Sequence, residues 1–197
     1  MQRADLEGPV LDVAPRLLGT LLQGDGVTIR LTEVEAYAGQ GEDPGSHAHR
    51  GPTPRSQIMF GPAGRLYVYF SYGMHWCANV VTGRDGEASA VLLRAGEVVD
   101  GLALARGRRP GAPDRDLCRG PARLAKALDL TGDALGVDLL DPASSVRLLP
   151  GDHDPSAVRS GPRVGVAGAG ADLPWRFWLH GERSVSPYRR AVVRVRT

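Results

Sequence analysis

The chain has 197 residues and a formal net charge of +2 at pH 7, with 42% hydrophobic and 23% charged residues. Those values fit one soluble domain with a real core, and no apolar run approaches the length of a membrane span. The two cysteines, Cys77 and Cys118, are far apart and form no CxxC. A disulfide framework, a cysteine zinc site and an iron–sulfur cluster are therefore unsupported. The N-terminus, Met1-Gln2-Arg3-Ala4-Asp5, has no apolar signal region, so a cytoplasmic location is expected.

In chain order, residues 9–22 predict a first helix. Leu11, Val13, Leu17, Leu18, Leu21 and Leu22 give it a broad apolar face, and Gly24-Asp25-Gly26 stops it. Residues 27–37 alternate as a strand, with Ile29, Leu31, Glu33, Glu35 and Tyr37 on one face. That face begins apolar and ends in two acids and a ring, which suggests a strand running from the core into a cleft. Residues 38–54 form a Gly-, Pro-, Asp- and His-rich loop, long enough to suggest function, carrying His47, His49 and Arg50 just before Arg55. A short helical turn is expected at Ser56 to Phe60.

Residues 65–82 read as a β-hairpin with its turn at Tyr72-Gly73-Met74. Leu66, Val68 and Phe70 alternate with Tyr67, Tyr69 and Ser71, so the first two tyrosines face one way. Residues 88–95 read as a buried strand containing Arg94. Residues 103–116 read as a surface loop, and Gly120-Pro121 starts a helix with Pro in its first turn. Late strands are expected at 163–167 and 175–179. The pattern is α+β in a single domain over 1–197.

Of the five tyrosines, Tyr37 ends the strand that carries the acid pair, and Tyr67, Tyr69 and Tyr72 fall in one run before Gly73. Flat rings can stack on a nucleobase, although packing alone also accounts for tyrosines in strands. Glu33 and Glu35 lie about 7 Å apart along one strand face. An acid held near apolar and aromatic groups can serve as a general base at neutral pH, whereas an arbitrary Glu pair more often forms surface salt bridges. His47 and His49 are too slight a pair for a metal site. Gly165, Gly168 and Gly170 do not fit GxGxxG and read as turn glycines. No metal or cofactor is expected.

Several segments in series resemble the alkyladenine (3-methyladenine) DNA glycosylases of the non-helix-hairpin-helix type. They are Glu33-Val34-Glu35-Ala36-Tyr37, Ser46-His47 through Thr53-Pro54-Arg55, Met59-Phe60-Gly61-Pro62, and Leu66 to Met74 continuing to Asn79. Val91-Leu92-Leu93-Arg94-Ala95, Leu117-Cys118-Arg119-Gly120-Pro121 and Arg163-Val164-Gly165-Val166 followed by Trp175-Arg176-Phe177 complete the series. The resemblance implies one α+β domain with a curved, mostly antiparallel sheet, flanking helices and a protruding hairpin. It also implies a monomer that flips damaged purines out of double-stranded DNA.

Carried over by position, Glu35 corresponds to the base that activates water and Arg94 to a residue that helps place it. Tyr37, His47 and Tyr69 correspond to the slot around the flipped base, with His49 as the alternative histidine. Asn79 corresponds to a discriminator against guanine, and Tyr72 to the wedge that fills the gap in the duplex. Glu33 has no assigned role, and Arg50 and Arg55 are candidates for phosphate contact from loop position. Lys126 is the only lysine, and it falls on a predicted helix far in sequence from the acids. Bifunctional glycosylases attack with an amine, so a monofunctional enzyme leaving an abasic site is expected. A lesion-sensing protein without catalysis would keep the rings and lack the acid. A hydrolase of free nucleosides would not need an aromatic wedge.

Overall fold

A computed structural model of the chain describes residues 1–71 and 73–191. Its frame is one antiparallel sheet of eight strands: β1 (Leu21–Gly24), β2 (Val27–Tyr37), β3 (Leu66–Ser71), β4 (His75–Thr82), β5 (Ser89–Asp100), β6 (Val146–Leu149), β7 (Val158–Gly161) and β8 (Arg176–Leu179). The main path runs β3-β4-β5-β2-β1-β6, and β8 pairs with both β2 and β7. Three short helices complete the α+β fold, α1 (Val10–Arg16), α2 (Leu102–Arg108) and α3 (Pro121–Ala127).

Strand β2 is the organising element. Its first half pairs with β1, its second half pairs with β8, and β5 runs along its other edge. The β2–β5 register shifts between Leu31 and Glu33 and again between Glu33 and Val34. Such bulges bend a strand and re-aim its side chains. Gly96 of β5 sits opposite Leu31 beside this irregularity, where a Cβ would fall 2.5 Å from the Arg30 carbonyl oxygen. The absence of a side chain there lets the two strands close up. Ile29, Leu31, Leu66, Leu93, Leu117 and Leu124 are fully buried around this junction and form the core.

Three expectations need correction. The first helix ends at Arg16 instead of residue 22. Pro15 lies in its last turn and removes a backbone donor, and Gly19 then turns the chain at φ +76°. Leu21 and Leu22 belong to β1, joined to β2 by a two-residue turn in which Asp25 and Gly26 both have positive φ. Asp-Gly is a strong hairpin signal, and the leucine spacing masked it. Residues 102–108, expected as loop, form α2. Only Ala105 is buried in that helix, so it shows almost no apolar periodicity. Residues 163–167 are not a strand: the Val164 amide donates to the Glu35 carboxylate instead of to a ladder, and the Arg163 side chain reaches Asp43 in the 38–56 loop. Strands β6 and β7, four residues each, are too short to read from the sequence.

Other expectations hold. β2 covers residues 27–37 as read, β3 and β4 form the hairpin, α3 starts at Pro121, and a 3-10 turn spans Gln57–Phe60. The intercalation role assigned to Tyr72 falls on a residue outside those described. Among the described residues, no helix is long and apolar enough to cross a membrane.

Candidate active site

A cavity of about 600 Å³ opens between β2, the β3–β4 hairpin, β5 and the 38–56 loop. That volume suits a small organic ligand. Tyr37, His47, Tyr69, Asn79 and Arg94 all line it, so residues scattered over 58 positions meet at one place. The 164–167 segment and Pro121 at the start of α3 close the remaining side. Glu35 is fully buried next to the cavity, and the three groups that contact its carboxylate, Tyr37, Arg94 and Val164, all line it.

The Glu35 carboxylate is held from three directions. The Tyr37 hydroxyl donates to Oε2 at 3.0 Å, and the Val164 amide donates to Oε1 at 2.6 Å. Arg94 Nη1 approaches Oε1 at 3.4 Å. Burial nevertheless dominates and raises the Glu35 proton affinity above the ordinary carboxylate range, with Arg94, the Val164 amide and Tyr37 opposing it. A carboxylate offers about four lone-pair sites, so these contacts leave acceptor capacity for a water. Burial also tends to discharge Arg94, and Glu35 and Glu33 outweigh it, so its proton is held more firmly than usual.

The aromatic slot is built by the hairpin alternation. Tyr67 and Tyr69 project to the same side of β3, their ring centroids 5.4 Å apart. His47 reaches in from the loop with its ring edge-on to Tyr69 at 4.7 Å and its Nδ1 2.9 Å from the Tyr67 hydroxyl. Burial, then the neighbouring Arg55 charge, lowers the His47 pKa to about 4. It is therefore a neutral imidazole at physiological pH. Arg55 itself stacks over Tyr69 at 4.9 Å, which places it in the slot wall, while Arg50 does not line the cavity. His49 does not line it either, so of the two histidines only His47 faces the slot. Asn79 is buried and donates from Nδ2 to the Tyr67 carbonyl at 3.0 Å.

Several contributors were not read from the sequence. Arg163, fully buried, pairs twice with Asp43, Nη1 to Oδ2 at 2.6 Å and Nη2 to Oδ1 at 2.8 Å. Its guanidinium also lies 4.6 Å from the Tyr37 ring centre and 5.1 Å from that of Trp175. This pair ties the loop to the segment that supplies the Val164 amide. Asp43 announces itself locally, since Oδ1 accepts from the Gly45 amide two residues on, but its arginine is 120 residues away. Glu33 is no surface residue. It is fully buried and accepts from Arg94, Arg176 and Ser186. Cys77 lines the cavity with its thiol pKa raised by burial, which disfavours a thiolate nucleophile.

The site thus combines a buried acid with an aromatic cavity, and comparisons with known proteins give the family. A family model described as methylpurine-DNA glycosylase matches residues 4–183. Proteins named "Putative 3-methyladenine DNA glycosylase" from Leifsonia xyli subsp. xyli and Nocardia farcinica are 57% and 56% identical over 191 and 184 residues. The alignments cover 91% and 90% of this chain and 88% and 86% of those relatives. A protein of the same name from Mycobacterium bovis is 50% identical over 184 residues, covering 90% of this chain and 89% of that relative. The chain belongs to the methylpurine-DNA glycosylase family, hydrolases of N-glycosyl bonds in DNA.

Proposed function

We propose that the protein extrudes alkylated or deaminated purines (3-methyladenine, 7-methylguanine, hypoxanthine and ethenoadenine) from duplex DNA and hydrolyses their glycosidic bond, leaving an abasic site. The observation that carries this reading is the position of Glu35, with a raised proton affinity, next to an aromatic cavity and 3.4 Å from Arg94. A glycosylase cannot reach its bond inside a stacked duplex, so the nucleotide must leave the helix. Tyr37, His47 and Tyr69 then surround the base. Aromatic faces attract the cationic purine left by N3 or N7 alkylation by about 0.5–2 kcal/mol each. His47 stays neutral and adds no repulsion.

Glu35 takes a proton from a water that Arg94 helps to place, and the water oxygen attacks C1′ of the sugar as the C1′–N bond breaks. The bonding pair leaves with the base, which an alkylated cationic purine accepts without prior protonation. Asn79, fixed through the Tyr67 carbonyl, discriminates against guanine by leaving its amide mismatched to a wrong edge. The resemblance assigns Tyr72 to the gap left in the duplex. Lys126 is exposed on α3 and does not line the cavity, which supports water over an amine as nucleophile.

The test is release of hypoxanthine, ethenoadenine and 3-methyladenine from defined duplexes. Wild type releases base, and Glu35→Gln binds the same duplexes without cutting. Full activity in Glu35→Gln overturns the mechanism. A covalent adduct trapped by borohydride overturns the monofunctional assignment.

A further inference from the structure

Glu33 is a fully buried carboxylate with four contacts from three residues. Its Oε1 accepts from Arg94 Nε at 3.0 Å, Arg176 Nη1 at 3.1 Å and the Ser186 hydroxyl at 2.9 Å, and its Oε2 accepts from the Ser186 amide at 2.7 Å. It lies at the β2 bulge, two residues before Glu35. Arg94 therefore stands between two buried carboxylates, and it treats them differently. Toward Glu33 it makes a directed hydrogen bond through Nε. Toward Glu35 it makes only a longer ionic contact through Nη1, at 3.4 Å. The Ser186 hydroxyl takes Nη2 at 3.2 Å, so Nη1 is the nitrogen left for Glu35 and the cavity.

We propose that Glu33 is a positioning residue of the excision reaction. Together with Ser186 it holds the Arg94 guanidinium off Glu35, leaving that carboxylate free to act on a water. The proposal rests on the reading of Glu35 as the base. Its physical logic is competition for one planar fork. An unrestrained guanidinium beside a carboxylate settles into a bidentate pair, which occupies the lone pairs a base needs. With Nε and Nη2 already engaged by Glu33 and Ser186, Arg94 cannot present that fork to Glu35. Arg176, stacked 4.4 Å from the Trp178 ring centre, supplies a second cation to Glu33, so Glu33 does not depend on Arg94 alone. Ser184 and Val185 fasten the same segment, through Thr32 at 2.8 Å and Arg119 at 2.8 Å. The Ser186 end of the cage is thus fixed by β2 and by the segment before α3.

The experiment is single-turnover release of hypoxanthine by Glu33→Gln, measured from about pH 5 to about pH 9. Binding to an abasic-site duplex is measured alongside. The charged groups and dipoles facing Glu35 are Arg94 on β5, Glu33 and Tyr37 on β2, and Val164 and Arg163 on the late loop. Losing the Glu33 charge releases Arg94 toward Glu35. Excision is expected to fall about 10- to 100-fold while duplex binding stays within about twofold. The acid limb is expected to move to lower pH, because a closer guanidinium favours ionised Glu35. Glu33→Asp keeps the charge and recovers part of the rate.

A wild-type rate and profile in Glu33→Gln overturns the proposal. So does a rate loss that tracks weaker binding with an unmoved acid limb. Where Glu33→Gln does not fold, Ser186→Ala decides. A loss of about fivefold with the limb moved the same way supports the cage, and an unchanged rate and profile overturns it. Failure of the Glu35 assignment is recognised separately, because only then does Glu35→Gln cut.

Discussion

Arg163 and Asp43 form a buried bidentate pair, with Nη1–Oδ2 and Nη2–Oδ1 distances of 2.6 and 2.8 Å. The pair joins the loop that carries His47 to the segment that carries Val164, and its guanidinium backs the Tyr37 ring. Removing one partner strands a buried charge, which costs about 3–5 kcal/mol. Asp43→Ala is therefore expected to melt on the order of 10 °C lower in calorimetry. Excision is expected to weaken with it, as the Val164 amide loses its anchor. Adding Arg163→Met to Asp43→Ala removes the stranded charge and recovers part of the stability.

Glu35 links activity to stability with a definite sign. Its folded pKa is raised, mainly by burial, above the unfolded value. Such a group contributes stability that is fully present below the unfolded pKa and is lost as pH rises through the folded pKa. Glu35→Gln is thus expected to melt higher than wild type at neutral pH, the gap closing below the usual carboxylate range. Melting curves across that window check this. The same shift places the acid limb of excision above the ordinary carboxylate pKa, with activity lost as pH falls through it.

His47 gives a second titration. Burial, followed by Arg55, lowers its pKa to about 4. Its contribution to stability is present above the unfolded value and lost as pH falls toward the folded one. The imidazole resonances of His47 are expected to move only on strong acidification. Excision is expected to show no limb near the usual histidine pKa from this residue. Arg55→Ala is expected to raise the His47 pKa, observable in the same spectra.

Tyr69 meets both His47 and Arg55. Its replacement by Leu keeps bulk and removes the stacking face. A cost of about 1–3 kcal/mol per stacked base is expected in capture of the extruded purine. The loss is expected in kcat/KM and in binding to an uncleavable lesion duplex, with little change in melting temperature.

The sequence made some of this legible and hid the rest for physical reasons. Strand alternation reads β2 and the hairpin correctly, because period-two patterning is local. That alone placed Glu35, Tyr37, Tyr67 and Tyr69. His47 and Arg94 joined the site through motif resemblance, and the cavity brings them together. Leu17, Leu18, Leu21 and Leu22 satisfy helical spacing, yet Gly19 turns the chain and Asp25-Gly26 makes Leu21 and Leu22 part of a hairpin. Helix α2 leaves no apolar periodicity in the sequence because it buries one alanine. Arg163–Asp43 and Glu33–Ser186 could not be read at all. Each joins groups more than a hundred positions apart, and single-residue chemistry does not reveal its partner.

The contact between Glu33 and the Ser186 amide closes a span of 153 positions. Contacts of that separation carry a high loop-closure entropy and form only after the intervening strands have found each other. The Ser186 end of the Arg94 surroundings is therefore expected to form later than the hairpin and the β2–β5 pairing, which join residues closer in sequence.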